Sequence, residues 1–575
     1  MKKTNVISLL LLAFISLSSS IQLLAQTSVK KPSDWYFKAF DKDAIYGAEI
    51  YKAYDFLKNK KVKKQPLIAI VGYGMDVTHP DLKNQFWVNP NEKADGIDND
   101  QNGLIDDING WNFLGNKDGT SLIQTNTELD REFFRLKDVY GGIWNTGKGF
   151  VRFDDAQGKV IPTSAPANLK EYNFVWQKII RYSKIGIAYM QADLCKIMNY
   201  YLFNEFNDEM LKMNPELSKL NGEDFAKLYP KYTPNIDSVK SIAYQFLLLR
   251  MTFRFPEKDK KLPPFITFPA FKEQSLKFCS GLSEEYEKAL IREKSNRDIV
   301  GDNFTNMDNK SYGNNNPSSS SLNSITTAQI IAAERNNGIG INGIVDAKLM
   351  NLMVYPKEGD AFYKEIASAI KYATDKNADV IVLGTPNKIY PDYEAKWVNE
   401  ALLYAEKKGV LIISPAVQQS TDFTKTPYYP NRHISTKVEL SNFISVSPSD
   451  SLGNPIDKTN FSKTELDLFA PGVHIPILTI EKKYLNSSGP LSSAAVTAGI
   501  AGLIKAYYPN LTGSQIRTLL LKNVTNRAED EVEVKVNNSG NQITDMYFFS
   551  DLCTSGGIIN AYKAIKAADA ITAKK

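Results

Sequence analysis

The sequence lacks any long block of basic residues. Its 69 Lys and Arg nearly balance its 64 Asp and Glu, which leaves a formal net charge of +5. The densest basic stretch, residues 58–64, is typical of a solvated helix end and linker, so we expect no nucleic-acid surface. The 43% hydrophobic and 23% charged residues are typical of a globular protein with enough chain to bury a core.

Apolar runs long enough to cross a bilayer are also missing, so we expect no transmembrane anchor in the mature chain. The N-terminus carries a shorter apolar run at residues 6–17, behind the charged pair Lys2 and Lys3 and before Ala25 and Gln26. This layout predicts a secretory signal peptide over residues 1–26, and hence an exported protein, periplasmic or extracellular. A membrane anchor is the alternative, but the run is short for one.

Cysteine and histidine are both scarce, with three of each in 575 residues. The cysteines are Cys195, Cys279 and Cys553, and none lies near the predicted cleavage point. Export permits a disulfide between Cys195 and Cys279 that leaves Cys553 free. Three buried thiols are the alternative, and the sequence does not decide between the two.

The order of the predicted elements indicates the fold class. Short apolar runs alternate with amphipathic helical patterns, which predicts an α/β fold with a parallel sheet covered by helices on both faces. Predicted strands cover residues 67–71, 348–354, 379–383, 410–413, 443–446 and 466–469. Predicted helices cover residues 45–57, 324–335, 361–374, 393–408, 491–508 and 512–522.

A different region interrupts this alternation. Residues 115–320 carry long helical patterns rich in Tyr and Phe, and we predict a mainly helical insertion there. The predicted helices of the insertion cover residues 171–201, 237–253 and 271–294. We assign the rest of the chain as an N-terminal segment (27–66) and the two parts of an α/β core (67–114 and 321–575).

Four stretches of the chain, taken together and in order, are similar to one family. They are residues 68–82, residues 324–340, residues 409–418, and residues 467–473 with 489–499 downstream. These stretches resemble the subtilases, the subtilisin-like serine proteases. The resemblance implies a subtilisin-like parallel sheet flanked by helices, and a site built for peptide hydrolysis.

The resemblance also implies an Asp, His and Ser triad, but the matching positions carry other residues. The Asp position, at the end of the first strand, is Gly72. The His position is Asn323, and its amide cannot act as a general base. The Ser position is Leu491, which has no nucleophile. The whole predicted helix after Asn323 lacks histidine, and shifting the alignment by one residue does not change that.

Neighbouring residues are poor substitutes for this triad. Asp76 lies past the turn that follows the first strand. Ser492 and Ser493 follow the nucleophile position on a helix, where each residue turns the side chain by about 100°. We expect structural or surface roles for all three histidines: His79, His433 and His474.

Two further elements of the family's site map onto this chain. The position of the oxyanion donor, an Asn in the family, is Gln418, which keeps an amide N–H but reaches one methylene further. The family's substrate-binding strand falls at Gly384, Thr385 and Pro386. Pro386 has no backbone N–H to donate to a ligand.

An acidic loop gives a separate signal. Residues 98–107 place oxygen-bearing side chains at alternate positions before a glycine, which resembles the first half of a calcium loop. We therefore predict a calcium site formed by these residues: Asp98, Asp100, Asn102 and Asp106. The position that would carry the bidentate Glu of an EF-hand is Asn109, so a solvated turn is the alternative.

Three functions follow from these patterns. The first is an inactive subtilase homologue that binds a peptide or protein partner through its former cleft or its insertion. The second is an active subtilisin-like serine endopeptidase that uses rearranged residues. The third is a purely structural protein of the cell envelope. An open cleft favours binding, whereas a cleft filled by Leu491 and its neighbours favours the structural role.

Overall fold

The computed structural model describes residues 33–145, 149–154, 156–179, 182–200, 268–303, 306–538 and 541–573. The predicted signal peptide lies outside these residues, and so does the predicted helix over residues 237–253. In the part of the chain that the structure describes, no helix is long and apolar enough to span a bilayer.

The strands account for the centre of the molecule and for several small sheets. In chain order they are β1 (Leu67–Gly72), β2 (Gly110–Asn112), β3 (Ile143–Asn145), β4 (Phe150–Asp154), β5 (Lys159–Thr163), β6 (Lys348–Met353), β7 (Val380–Leu383), β8 (Leu411–Pro415), β9 (His433–Ser435), β10 (Val438–Glu439), β11 (Phe443–Ser449), β12 (Leu468–Pro471), β13 (Ile475–Leu478), β14 (Tyr484–Ser487), β15 (Thr525–Asn526), β16 (Glu531–Asn538), β17 (Asn541–Phe548) and β18 (Gly557–Ile558).

The helices lie before, between and after these strands. In chain order they are α1 (Phe40–Asp43), α2 (Ile50–Leu57), α3 (Glu128–Tyr140), α4 (Leu169–Phe174), α5 (Lys184–Tyr200), α6 (Phe268–Asn296), α7 (Leu322–Ala332), α8 (Tyr363–Asp375), α9 (Asp392–Lys407), α10 (Pro490–Tyr507), α11 (Gly513–Lys522), α12 (Phe549–Leu552) and α13 (Ala561–Thr572).

The main sheet has nine strands in the order β15-β18-β12-β11-β8-β7-β1-β6-β2. Every neighbouring pair is parallel except the edge pair of β15 and β18. All six residues of β1 are buried. Its side chains alternate between two core layers, because successive residues of a strand point to opposite faces of the sheet.

Helices cover both faces of this sheet. On one face α2, α7, α10 and α13 pack over Ile68 and Ile70 of β1. On the other face α8 and α9 pack over Ala69 and Val71. This arrangement confirms the α/β fold class, with a subtilisin-like parallel sheet flanked by helices. The predicted strands and helices of the core are all present, with ends that differ by a few residues.

One predicted boundary is clearly wrong. The pattern over residues 45–57 predicts one helix, but α2 begins at Ile50. The preceding Glu49 has a left-handed φ of 53°, which cannot belong to a right-handed helix. Residues 45–49 instead turn against the short 3₁₀ helix at Trp35–Phe37, where the Ala48 N–H donates to the Tyr36 carbonyl at 2.8 Å.

The predicted insertion contains more than helices. The helices α3 to α6 lie there, but β3, β4 and β5 also form a three-stranded antiparallel sheet that the helical patterns did not reveal. A disulfide joins Cys195 of α5 to Cys279 of α6, with 5.7 Å between their Cα atoms. Cys553 is a buried free thiol, and burial raises its pKa to about 11. The boundaries of the insertion stay a prediction.

Buried ion pairs fix the layers to one another, and Asp467 is the clearest case. This carboxylate is fully buried just before β12. It accepts hydrogen bonds from Arg432 Nη1 at 3.2 Å, from Arg517 Nη2 at 2.6 Å and from the Ser445 N–H at 2.8 Å. It therefore links α11, β11 and the loop before β9.

We predict that Asp467→Ala lowers the free energy of unfolding by about 3–5 kcal/mol, because two guanidinium groups would stay buried without their carboxylate. The control is Glu439→Gln, which removes the exposed partner of the same Arg432 and should change stability by less than about 1 kcal/mol. Urea unfolding monitored by circular dichroism measures both. Equal effects of the two substitutions would contradict the prediction.

Candidate functional site

A cavity of about 510 Å³ opens beyond the carboxyl ends of β7 and β8. Residues 385–389, which follow β7, form one wall, and residues 415–419 at the end of β8 form the other. The first turns of α7 and α10 also contribute to the lining. The crevice at the carboxyl ends of the strands is the usual ligand site of an open parallel sheet.

The structure brings most of the sequence-predicted site residues to this cavity. Asn323, Leu491 and Gln418 all line it, although their positions are far apart in the chain. Thr385 and Pro386 of the predicted substrate-binding strand also line it. The cavity remains open beside Leu491, which is only partly buried.

Two predicted site residues lie beside the cavity rather than in its lining. Gly384 packs so closely on Tyr355 that an added Cβ would lie 2.4 Å from the Tyr355 ring. At Gly72, the last residue of β1, an added Cβ would lie 2.8 Å from Ser324 Oγ. That hydroxyl accepts a hydrogen bond from the Tyr73 N–H at 2.8 Å. A side chain at position 72 therefore requires Ser324 to move.

The serine hydroxyls next to Leu491 make hydrogen bonds, but none of their partners among the described residues is a general base. Ser492 is buried, and its Oγ lies 3.0 Å from Ser487 Oγ. Ser493 is fully buried and donates to the Pro490 carbonyl at 2.9 Å. Asp76 is hydrogen-bonded within its own turn, where its Oδ1 accepts from both the backbone N–H and the hydroxyl of Thr78.

None of the three histidines belongs to the described lining of the cavity. His79 is fully buried in the turn after β1, with Nε2 2.9 Å from the Leu478 carbonyl. Its Nδ1 accepts from the Asp81 N–H at 3.2 Å, so Nε2 carries the proton. His433 is exposed and pairs with Glu465, and His474 is exposed in the loop before β13. The structural or surface roles expected for them are consistent with these contacts.

Several cavity residues gave no signal in the sequence. Asp360 and Lys388 are the charged residues of the described lining, and they carry opposite charge. Burial lowers the pKa of Lys388, helped by the nearby charge of Lys178. Leu129, Asn387 and Tyr428 also line the cavity. Their nearness arises only from tertiary packing, so no local motif identifies them.

The acidic loop brings together only part of the predicted calcium site. Oxygens of Asp98, Asp100 and Glu92 all lie within 4.8 Å of one another. Glu92 is buried and was missed by the sequence analysis, because it lies outside the alternating pattern. Asp106 turns away, since its carboxylate accepts from the N–H groups of residues 95 and 96. Asn102 donates to Asp107 at 2.8 Å.

The polar atoms of this cluster suit a cation. Glu92 Oε2 and Asp100 Oδ1 are buried, and neither accepts a hydrogen bond from the described residues. Lys376 is the nearby ammonium group; its Nζ bonds to Asp100 Oδ2 and lies 3.7 Å from Asp107 Oδ2. The remaining carboxylate oxygens are the hard ligands that calcium prefers, so the residues fit such an ion.

The fold and the cavity define an α/β protein with an open cavity at the carboxyl ends of its parallel strands. The chain belongs to the subtilase family, because the model of that family matches residues 63–539, most of its length.

Individual relatives match over shorter segments. A thermophilic serine proteinase of Bacillus sp. (strain AK1) is 26% identical over 208 residues, which is 36% of this chain and 45% of that protein. The cell wall-associated protease of Bacillus subtilis (strain 168) is 28% identical over 292 residues, 49% of this chain and 29% of that protein. The chain thus spans less than half the length of these two relatives. The solved prenylagaramide maturation protease PagA aligns with 17% identity and a TM-score of 0.33, over 42% of this chain and 80% of that one.

We predict that His79 makes stability fall in mild acid. Burial lowers its pKa below the ordinary value of 6.5, so the unfolded state takes up the proton first as the pH falls. Its contribution is therefore present above about pH 6.5 and is lost below it. In urea unfolding, the stability difference between the native protein and His79→Gln should shrink from pH 8 to pH 5. The exposed His433→Gln serves as control, and a difference independent of pH would refute the prediction.

Proposed function

We propose that this protein is an exported member of the subtilase family that has no peptidase activity and binds a peptide segment of a protein partner. The observation that carries the proposal is the cavity itself. It is open and about 510 Å³ in volume, yet Asn323 and Leu491 line it where the family's resemblance places a base and a nucleophile.

The chemistry of the lining supports inactivity. Hydrolysis by a serine peptidase needs a hydroxyl within hydrogen-bond reach of a general base. Within the described lining, Ser487 and Ser492 face each other, and Ser488 accepts from the His474 N–H. Lys388 has a lowered pKa, but in the described residues it makes no hydrogen bond to a hydroxyl. Among the described residues of the lining, no base lies within hydrogen-bond reach of a serine hydroxyl, which argues against the alternative of an active serine endopeptidase.

The polar groups of the cavity support peptide binding. Amide and hydroxyl side chains line both walls, and Tyr428 adds an aromatic ring whose hydroxyl donates to Gln419 at 2.6 Å. Apolar residues such as Ile389 and Val417 lie between these polar groups, and a concave site that combines apolar surface with orienting polar groups is typical of ligand binding. A structural role would instead favour a filled cleft, and about 510 Å³ beside Leu491 remains open.

Two features support export. The N-terminal layout predicts a signal peptide over residues 1–26, which lie outside the described residues. The disulfide between Cys195 and Cys279 suits an oxidising compartment such as the periplasm or the cell exterior.

Casein peptides labelled at their carboxyl ends with a fluorophore test the function. We expect their anisotropy to rise with protein concentration while mass spectrometry finds every peptide intact. A fluorophosphonate probe should label no serine of the folded protein. Cleaved peptides, or labelling that heat denaturation abolishes, would show that the protein is a protease.

A matched pair of variants locates the binding. Thr385→Trp places a large ring at an exposed position of the cavity wall and should weaken binding at least tenfold. Thr518→Trp makes the same change at an exposed position of α11, outside the described lining, and should leave binding unchanged. Equal affinities of the two variants would place the bound peptide elsewhere.

We also propose that calcium binds the cluster of Glu92, Asp98 and Asp100. Three carboxylates within 4.8 Å of one another repel, and Lys376 neutralises only part of that charge. Calcium would give partners to the buried oxygens Glu92 Oε2 and Asp100 Oδ1. The ion would hold residues 92–100 together as a structural element.

Millimolar calcium should therefore raise the melting temperature relative to a chelator. Binding to the folded state alone adds about 2.7 kcal/mol when the free ion is at a hundred times its Kd. Asp98→Asn should abolish the shift. The control Asp118→Asn alters an exposed turn carboxylate outside the cluster and should keep it. A melting temperature that does not respond to calcium would leave the cluster as a hydrogen-bonded turn.

A further inference from the structure

One end of the cavity is bordered by residues 123–129, which we call the strap; of these, Leu129 lines the cavity. The strap runs parallel to the extended segment 357–360, and its last two residues are the first two residues of α3. The Lys357 N–H donates to the Ile123 carbonyl at 2.9 Å, and the Thr125 N–H donates to the Glu358 carbonyl at 2.9 Å. Leu129 of the strap and Asp360 of the segment both line the cavity, so together they form its end.

Close packing fixes the strap in this place. Gly359 has a left-handed φ of 89°, and an added Cβ there would lie 2.0 Å from the Thr125 carbonyl oxygen. Arg131, one turn into α3, donates to the Asn126 carbonyl at 2.8 Å and to the Ala361 carbonyl at 2.9 Å. Its guanidinium thus connects the strap to the opposing segment.

A hydrogen bond across the cleft completes the closure. Asn387 on the β7 wall donates from Nδ2 to Asp360 Oδ2 at 2.8 Å. Both residues, together with Thr385 and Pro386, also line a second cavity of about 160 Å³. The Asp360–Asn387 pair is therefore a partition between the two cavities. A polypeptide in the larger cavity would have to break this hydrogen bond to continue into the smaller one, and we take this point as the closed end of the site.

The charge at the partition selects which chain end fits. Asp360 Oδ2 accepts from Asn387 and from the Glu128 N–H at 2.8 Å, whereas Oδ1 accepts no hydrogen bond from the described residues. Asp360 is the one carboxylate of the described lining. The Asp360 carboxylate attracts a terminal α-ammonium and repels a terminal carboxylate. The positive charges of Arg131, which donates to the Asp360 carbonyl, and of Lys388 reduce this effect without reversing it at Oδ1.

We propose that the larger cavity takes the amino-terminal end of a polypeptide, with the α-ammonium group facing Asp360. This inference rests on the proposed function, because it specifies which part of a peptide the cavity binds. It distinguishes this site from a groove open at both ends, which would accept an internal segment of a chain.

Three sets of hexapeptides, labelled with a fluorophore at the carboxyl end, test the inference by anisotropy. The first is a degenerate mixture without Lys and Arg and with free amino termini. The second is the same mixture acetylated at the amino terminus. The third is acetylated and carries one Lys per peptide. We expect acetylation to weaken binding at least tenfold, and the added Lys to restore little of it.

The outcomes separate this inference from the proposed function. Equal binding of the free and acetylated mixtures overturns the inference and leaves peptide binding intact. Binding of the acetylated Lys peptides as tightly as the free ones assigns the cation to a side chain and overturns it too. If none of the three mixtures binds, the proposed function fails together with the inference.

Two variants locate the effect within the cavity. Asp360→Asn removes the charge but keeps an oxygen for Asn387 and the Glu128 N–H, so the preference for free amino termini should disappear. Leu129→Trp fills the closed end and should weaken binding of the free mixture at least tenfold. The control Thr518→Trp changes an exposed residue of α11 outside the described lining and should have no effect. Unchanged melting temperatures exclude misfolding, and unchanged preference in Asp360→Asn overturns the proposal.

Discussion

The burial of helix α10 against the parallel sheet is the constraint on which the rest of the structure depends. Its residues from Ser492 to Ala506 are all buried, and the helix packs against α7 and against β7, β8, β11 and β12. A helix that is apolar on every side must lie inside the protein. Because α10 and α7 enter the core side by side, their first turns meet at one cavity, and Leu491 comes to lie near Asn323.

This constraint is compatible with the loss of peptidase chemistry that we propose. The positions at which the resemblance places the triad lie at the ends of β1, α7 and α10. In the inactive homologue that we propose, these positions carry Gly72, Asn323 and Leu491, and the alternating core of β1 and the packing of α10 are intact. The fold therefore says little about turnover, and the side chains at the cavity decide what the protein does.

The sequence predicts the elements that are buried on both faces, because short continuous apolar runs such as β1 and β7 are typical of strands in a covered parallel sheet. For the same reason the sequence indicates three residues of the cavity lining, because each lies beside an element with a recognisable pattern. They are Asn323, Gln418 and Leu491. The sheet of β3 to β5 was missed because its strands are short and only partly buried. The Asp360–Asn387 pair was missed because it joins two loops across a cleft, and Glu92 because it approaches Asp100 only through folding.

The disulfide between Cys195 and Cys279 affects how proteolytic cleavage of this protein can be detected. The bridge closes a covalent ring of chain with a sequence separation of 84 residues. Outside a cell, other proteases cut exposed polypeptide. A single nick inside the ring would leave both fragments attached, so the molecule would migrate as one species until a reductant released them. Fragments produced by such a cut would therefore separate only under reducing conditions.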